Sequence, residues 1–203
     1  MKESRKKFEK YLMKFETDIT NLNSCFQLFE HLNKSLSSRR KEMEIAKCFF
    51  TIILNSLLTN IIITICRLYE NYDGKKRSEI NLNRFLNFIE QNNKMIFPKS
   101  IKYKIINEDK EKIKKQETTL EKIFVWRDKY LAHTDNKYLL NFTQLSEDNP
   151  INFDELQSLI EIAKETVNKY CKLYKNDFII FDIVNVYDID NIFYSLTKEL
   201  KNS

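Results

Sequence analysis

The sequence predicts an all-α protein, and three observations carry that prediction. One glycine and two prolines in 203 residues leave few places to break or turn the chain, which favours long helices over a sheet full of tight turns. Apolar residues recur at every third or fourth position through several stretches, the period of a helix with one buried face. Between Cys48 and Cys66 no charged residue occurs at all, a length that suits a helix apolar nearly all round. The expectation is a single bundle domain over 1–203 of four to six helices. Its core covers about 5–175, and 176–203 forms a C-terminal appendage with a short irregular or β-like segment.

The elements follow in order. From about Arg5 to Leu36 the residues Phe8, Leu12, Phe15, Ile19, Leu22, Phe26, Phe29 and Leu32 step by three or four, the inner stripe of a long amphipathic helix. SLSSRR at 35–40 breaks it, and a second helix runs from about Lys41 to Tyr69. Its uncharged portion is long enough to span a bilayer. Thr51, Asn55 and Thr59 recur every fourth residue within it, however. A lone lipid-facing helix would leave those groups in hydrocarbon without partners. The expectation is therefore a central buried helix of a soluble bundle, with no membrane partner.

NYDGKKRS turns the chain at Gly74, the single glycine. NLNRFLNFIEQN then forms a short helix capped by Asn81, with Leu82, Phe85, Leu86 and Ile89 inward, and Pro98 closes that section. The run NEDKEKIKKQETTLEK at 107–122 starts a helix that becomes apolar from Leu120 through Ile123, Phe124, Tyr130 and Leu131. Its charged first half is expected to be a solvated arm, with an RNA-contacting face as the alternative. Residues 134–150 read as a loop. NFDELQSLIEIAKETVNKYCKLY restarts a clear amphipathic helix, with Phe153, Leu156, Leu159, Ile160, Ala163, Val167 and Tyr170 inward. FIIFDIVNVY fits either a strand or an extended apolar tail, and DIDNIFYSLTKEL closes as a short helix.

Composition excludes several function classes. A net charge of +5, from 34 basic and 29 acidic residues, permits a nucleic-acid partner without arguing for one. Cys25, Cys48, Cys66 and Cys171 have no CxxC spacing and no nearby ligand set, so no metal site and no cofactor is expected. The four thiols read as reduced, which fits a cytoplasmic protein. MKESRKKFEK leads into charged amphipathic sequence with no apolar core of a signal peptide.

WRDKYLAHTD, Trp126 to Asp135, holds the one tryptophan and one of two histidines. Taken alone, His133 reads as a helix C-terminal imidazole, Arg127 as a salt-bridging residue towards Glu121 or Asp128, and Trp126 with Tyr130 as a packing pair one turn apart.

A wider resemblance changes that reading. Arg127, the polar Asp128, four intervening positions and His133 match the arginine–polar–histidine signature of the HEPN superfamily. ITICRLYENYDG followed by NLNRFLNFIEQN resembles the helix pair that precedes this motif in the abortive-infection, AbiU-like branch. WRDKYLAHTD resembles that branch's wording of the motif, and NFDELQSLIEIAKETVNKY its following helix. The similarity covers roughly Ile45 to Tyr174.

The resemblance implies a HEPN-like helical bundle that forms a homodimer and brings two Arg–His motifs into one cleft. Many such proteins are metal-independent endoribonucleases that serve as toxins or antiphage effectors. RNA carries its own nucleophile, the ribose 2′-OH, so cleavage needs proton transfer and charge stabilisation. Histidine titrates near neutrality and can move the proton, while an arginine fork can hold phosphate oxygens as charge builds. Arg127 and His133 are the implied catalytic pair, with Asp128 in support. Lys129, Tyr130, Arg67 and Glu70 are candidates to line the cleft or touch RNA, although a helix-end ion pair accounts for Arg67 and Glu70 equally well. An antitoxin or partner gene product would complete the system. Asp135 stands where the nucleotidylation-silenced branch has tyrosine, so that mode of control is not expected. The alternative function is a non-catalytic HEPN module that binds a nucleotide or RNA.

On a regular helix, Arg127 and His133 would lie about 120° apart and about 9 Å along the axis. A shared site thus requires the helix to distort or end near Ala132, the arginine to reach round, or a two-fold partner to complete it.

Overall fold

The computed structural model describes residues 1–70, 80–132, 145, 147–182 and 184–202, without the side chains of 130–132, 201 and 202. Gly74, His133, Asp135 and the Tyr130 side chain therefore lie outside the described residues. Among those described, all regular structure is helical: α1 (Lys2–Ser35), α2 (Arg40–Ile45), α3 (Lys47–Tyr69), α4 (Leu82–Ile96), α5 (Tyr103–Lys114), α6 (Glu117–Trp126), α7 (Phe153–Lys175) and α8 (Tyr187–Asn202). The number exceeds six because two expected helices are each divided. The backbone leaves the helical region at Ala46, φ −127° and ψ 46°, and bends again at Lys115 and Gln116.

The predicted stripe of α1 is the spine. Phe8, Phe15, Ile19 and Leu22 are fully buried, and α1 packs on α3, α4 and α7. Phe85 of α4 sits among Phe8, Phe15 and Tyr170, with centroids 5.5, 5.1 and 5.7 Å away. Edge-to-face geometry at the last two adds to the burial. Asn81 caps α4 by accepting from the Arg84 amide at 2.9 Å. A capping box starts α7, Asn152 and Glu155 exchanging side-chain to backbone bonds. Asn176 ends α7 in the left-handed region at φ 54°, which asparagine tolerates better than other non-glycine residues.

Two expectations need correcting. First, α3 is not a fully buried central helix. Its C-terminal half is in the core, with Ile61, Ile65, Leu68 and Tyr69 fully buried, but Phe49 and Ile52 of its N-terminal half are 54% and 64% exposed. The reason is geometric: the later part of α3 packs into the main core against α1, while among the described residues the earlier part packs on α2, α8 and the end of α1 through a small second cluster around Phe50 and Phe193. By length and composition α3 is apolar enough to cross a membrane. Second, the charged run is no solvated arm. It forms most of α5, which packs on α4 and α7 and buries Ile106, Asp109 and Ile113 on one face. Asp109 is tolerated there because Lys169 Nζ donates to both its oxygens at 2.8 Å and Tyr170 Oη donates at 2.8 Å.

The C-terminal tail is extended, without a strand partner among the described residues. Ile179 and Phe181 point into the main core while Phe178 and Ile180 point out, the alternation of a β-strand. Two asparagine amides stand in for a neighbouring strand. Asn168 exchanges bonds with the Ile179 backbone at 2.7 and 3.1 Å, and Asn23 donates to the Phe181 carbonyl at 3.2 Å. Beyond it, α8 is tied to α1 by His31 and Asp190 at 3.0 Å.

Asp109 is the most consequential of these buried polar groups. Asp109→Ala strands the Tyr170 hydroxyl and the Lys169 ammonium, the latter with a route to solvent. A loss of about 2–3 kcal/mol is expected in urea denaturation, and a loss below about 0.5 kcal/mol would contradict the buried network.

Candidate active site

Arg127 lies where α6 changes its winding. From Arg127 to Ala132 the chain continues as a π-helical turn, in which hydrogen bonds skip one residue more than in an α-helix. Such turns are rare and concentrate at functional positions. The distortion falls within the motif, where a regular helix would have set its two ends on different faces.

The guanidinium is held on several sides. Nη1 donates to Glu70 Oε1 at 3.0 Å and Nε donates to Asp128 Oδ1 at 2.7 Å. Its centre stands 5.2 Å above the Phe124 ring, one helical turn earlier, a cation–π seat. Among the described residues nothing holds Nη2. The arginine side chain is 20% exposed and Glu70 14%, so the pair is partly withdrawn from water. The Asp128 hydrogen bond holds the guanidinium's pKa further above its already high value, with partial burial opposing. The group is a permanent cation.

Cys66 is near enough to feel the Arg127 charge, its thiol donating to the Ile123 carbonyl at 3.8 Å. Burial pushes that thiol up to about 12. It stays protonated at neutral pH, which excludes it as a thiolate nucleophile.

The other sequence candidates separate. Glu70 joins Arg127 directly across 57 positions of sequence. Arg67, one turn earlier on α3, points instead to α1, its Nη2 2.8 Å from Asp18. Asp18 is nearly buried and also accepts from Lys14 at 2.7 Å. Arg67 and Glu70 thus serve different contacts and do not pair with each other. Asp128 is half exposed and Lys129 is exposed. Trp126 is structural: its indole N–H donates to the Asn149 carbonyl at 2.8 Å and fastens α6 to the segment before α7. His133 and the Tyr130 side chain fall outside the described residues. Among the described residues no group of histidine, cysteine and carboxylate side chains could hold a metal ion.

Sequence reasoning missed Phe124 and Cys66 as neighbours of Arg127. Phe124 was legible in principle, since residues three apart face each other on a helix. Cys66 was not, because its proximity depends on how α3 crosses α6.

The Glu70–Arg127 contact is open to a double-mutant cycle. With Glu70→Ala, Arg127→Ala and both together, a coupling energy of about 1–2 kcal/mol is expected in chemical denaturation for this partly buried, charge-assisted bond. Additive effects would mean that α3 and α6 are not joined there.

This geometry can be set beside known proteins. Neither the curated proteins nor the solved structures give a significant match. A family model described as AbiU2, of HEPN type, matches residues 5–197. The match takes in both α1 and the tail after Tyr174, two parts that carry no recognisable motif of their own, and the chain belongs to the HEPN AbiU2 family.

Proposed function

We propose that this chain is a metal-independent endoribonuclease of the toxin or abortive-infection type, working as a homodimer in the cytoplasm. The single observation that carries the reading is Arg127: a cation seated on Phe124, aimed by Glu70 and Asp128, at the start of a π-turn inside an intact arginine–polar–histidine motif. A guanidinium fixed in this way has already lost its rotamer freedom, so it can meet a phosphate without further ordering cost. Its Nη2 edge is the part left for a non-bridging phosphate oxygen. His133 moves the proton between the 2′-OH and the leaving oxygen. With one motif histidine per chain, two copies supply the base and the acid.

The face of α3 supports the two-fold arrangement. Phe49, Ile52, Ser56, Thr59 and Ile63 alternate by three and four residues, the spacing of a helix seam. Phe49, Ile52 and Ile63 are all substantially exposed, and no charge interrupts the seam in a chain where 31% of residues are charged. A second copy packed parallel along it brings the C-terminal ends of both α3 helices together, and with them both Glu70–Arg127 pairs. The reading as a soluble protein is supported by the C-terminal half of α3, whose Ile61, Ile65, Leu68 and Tyr69 are committed to the bundle core.

Three outcomes are expected. Purified protein cuts total RNA in EDTA, and Arg127→Ala and His133→Ala each lower the rate by about 100-fold or more with helicity intact; RNA binding with no cutting would instead identify a non-catalytic module. Where His133 is the base, the rate falls about tenfold per pH unit below about 6.5, as the imidazole takes up a proton; a flat profile would remove it as the titrating group. Light scattering gives a dimer at micromolar concentration, and Ile52→Glu gives a monomer with the activity of Arg127→Ala. A dimer that survives Ile52→Glu would place the interface elsewhere.

A further inference from the structure

A groove of about 850 Å³ runs between the first three turns of α1 and the length of α4, apart from the site just described. The two helices pack antiparallel: Ser4 Oγ donates to Asn92 Oδ1 at 3.1 Å near one end, and Phe15 meets Phe85 at the other. Lys6, Lys7 and Lys10 project from α1, and Arg84 from α4, with the side-chain amides of Asn87 and Gln91 beside it. These last three occupy positions i, i+3 and i+7, one face of a helix, and span about 10 Å.

The charge of this groove is one-sided because nearby carboxylates are engaged on other faces. Glu9 accepts from the Tyr174 hydroxyl at 2.7 Å, and Glu90 is held by Lys110 at 2.8 Å. Glu3 is the one acid among the described lining residues. Among the described residues no ion pair holds Lys6 or Lys10, and the Lys7 ammonium rests 5.1 Å above the Phe88 ring. Among the described lining residues, the three lysines of α1 stand against the single acid Glu3, far from the near balance of the whole chain, 34 to 29.

We infer that this groove is a docking track for the phosphate backbone of single-stranded RNA, separate from the chemistry at Arg127. Lysines one turn apart on α1 and the arginine and amides of α4 offer donors along both walls, the arrangement that follows a sugar–phosphate chain without reading its bases. Its position suits such a role. Arg84 ends the track at the first turn of α4. The adjacent Asn83 lines a second cleft together with Tyr69 and Phe124, and Phe124 carries the Arg127 guanidinium. A strand leaving the track at Arg84 thus meets the cleft that Phe124 also lines. The inference rests on the nuclease reading for the identity of the polyanion.

The test uses the full-length protein and a fluorescein-labelled 2′-O-methyl oligoribonucleotide, which has no 2′-OH to attack, so binding is read without cutting. The Lys6→Glu/Lys10→Glu variant is expected to bind at least about tenfold more weakly at 100 mM salt. The slope of log K against log salt should flatten by about 1.4, the change for two fewer phosphates neutralised on a single strand. Lys6→Ala/Lys10→Ala should change both in the same direction by less, with circular dichroism and thermal melting unchanged. Unaltered affinity and slope in both variants would overturn the inference. So would absence of binding by the unsubstituted protein, or a loss confined to phosphatidylserine vesicles. Failure of the nuclease reading is seen separately, in cleavage of ordinary RNA by Arg127→Ala.

Discussion

The helix α1 constrains everything else in this molecule. It is 34 residues long, and its buried stripe is shared by α3, α4 and α7. Because α1 accepts only the C-terminal half of α3 against its apolar middle, the end of α3 is fixed in space. The Arg67–Asp18 bond at 2.8 Å adds a polar tie just before that end. Tyr69, fully buried, donates its hydroxyl to the Leu159 carbonyl of α7. Glu70 follows immediately, and the position of Arg127 is inherited from it. The candidate site is thus set by packing that begins far from it in sequence.

The parts legible in the sequence were those in which each residue's preference and its surroundings agree. The stripes of α1, α4 and α7 were readable by period alone, and Asn81 by its position before an apolar run. The failures share a cause. Hydropathy reports what Ile52 and Phe49 prefer and says nothing of whether a neighbour exists to satisfy them. Local charge counting made α5 look solvated, because the groups that neutralise Asp109 come from Lys169 and Tyr170 about sixty positions away. The motif and its resemblance located Arg127 and the RLYE segment. No spacing rule could have said that Glu70 meets Arg127 while Arg67 turns to α1.

The C-terminal tail illustrates the same limit in a milder form. Its isoleucines and phenylalanines alternate inward and outward as in a strand, yet the backbone finds side-chain amides where a ladder would be. A buried extended segment must place its donors and acceptors somewhere, and Asn23 and Asn168 are the residues that do it. Their role depends on α1 and α7 both flanking the tail, which is tertiary information.

The electrostatics of Arg127 carry one more step. Among the described residues, the Arg127 guanidinium with its two carboxylates, Glu70 and Asp128, sums to −1, and the exposed Lys129 beside them brings that group to neutral. Fields of exposed charges fade over about 8 Å at physiological salt, so a polyanion passing this spot feels little net pull. Under the nuclease reading, attraction and chemistry must then be supplied by different surfaces. Long-range attraction falls to places with unbalanced charge, of which the α1–α4 groove is one. Arg127 acts at contact distance, where orientation counts for more than net charge. The two carboxylates that make it a poor magnet are the same ones that keep its fork aimed.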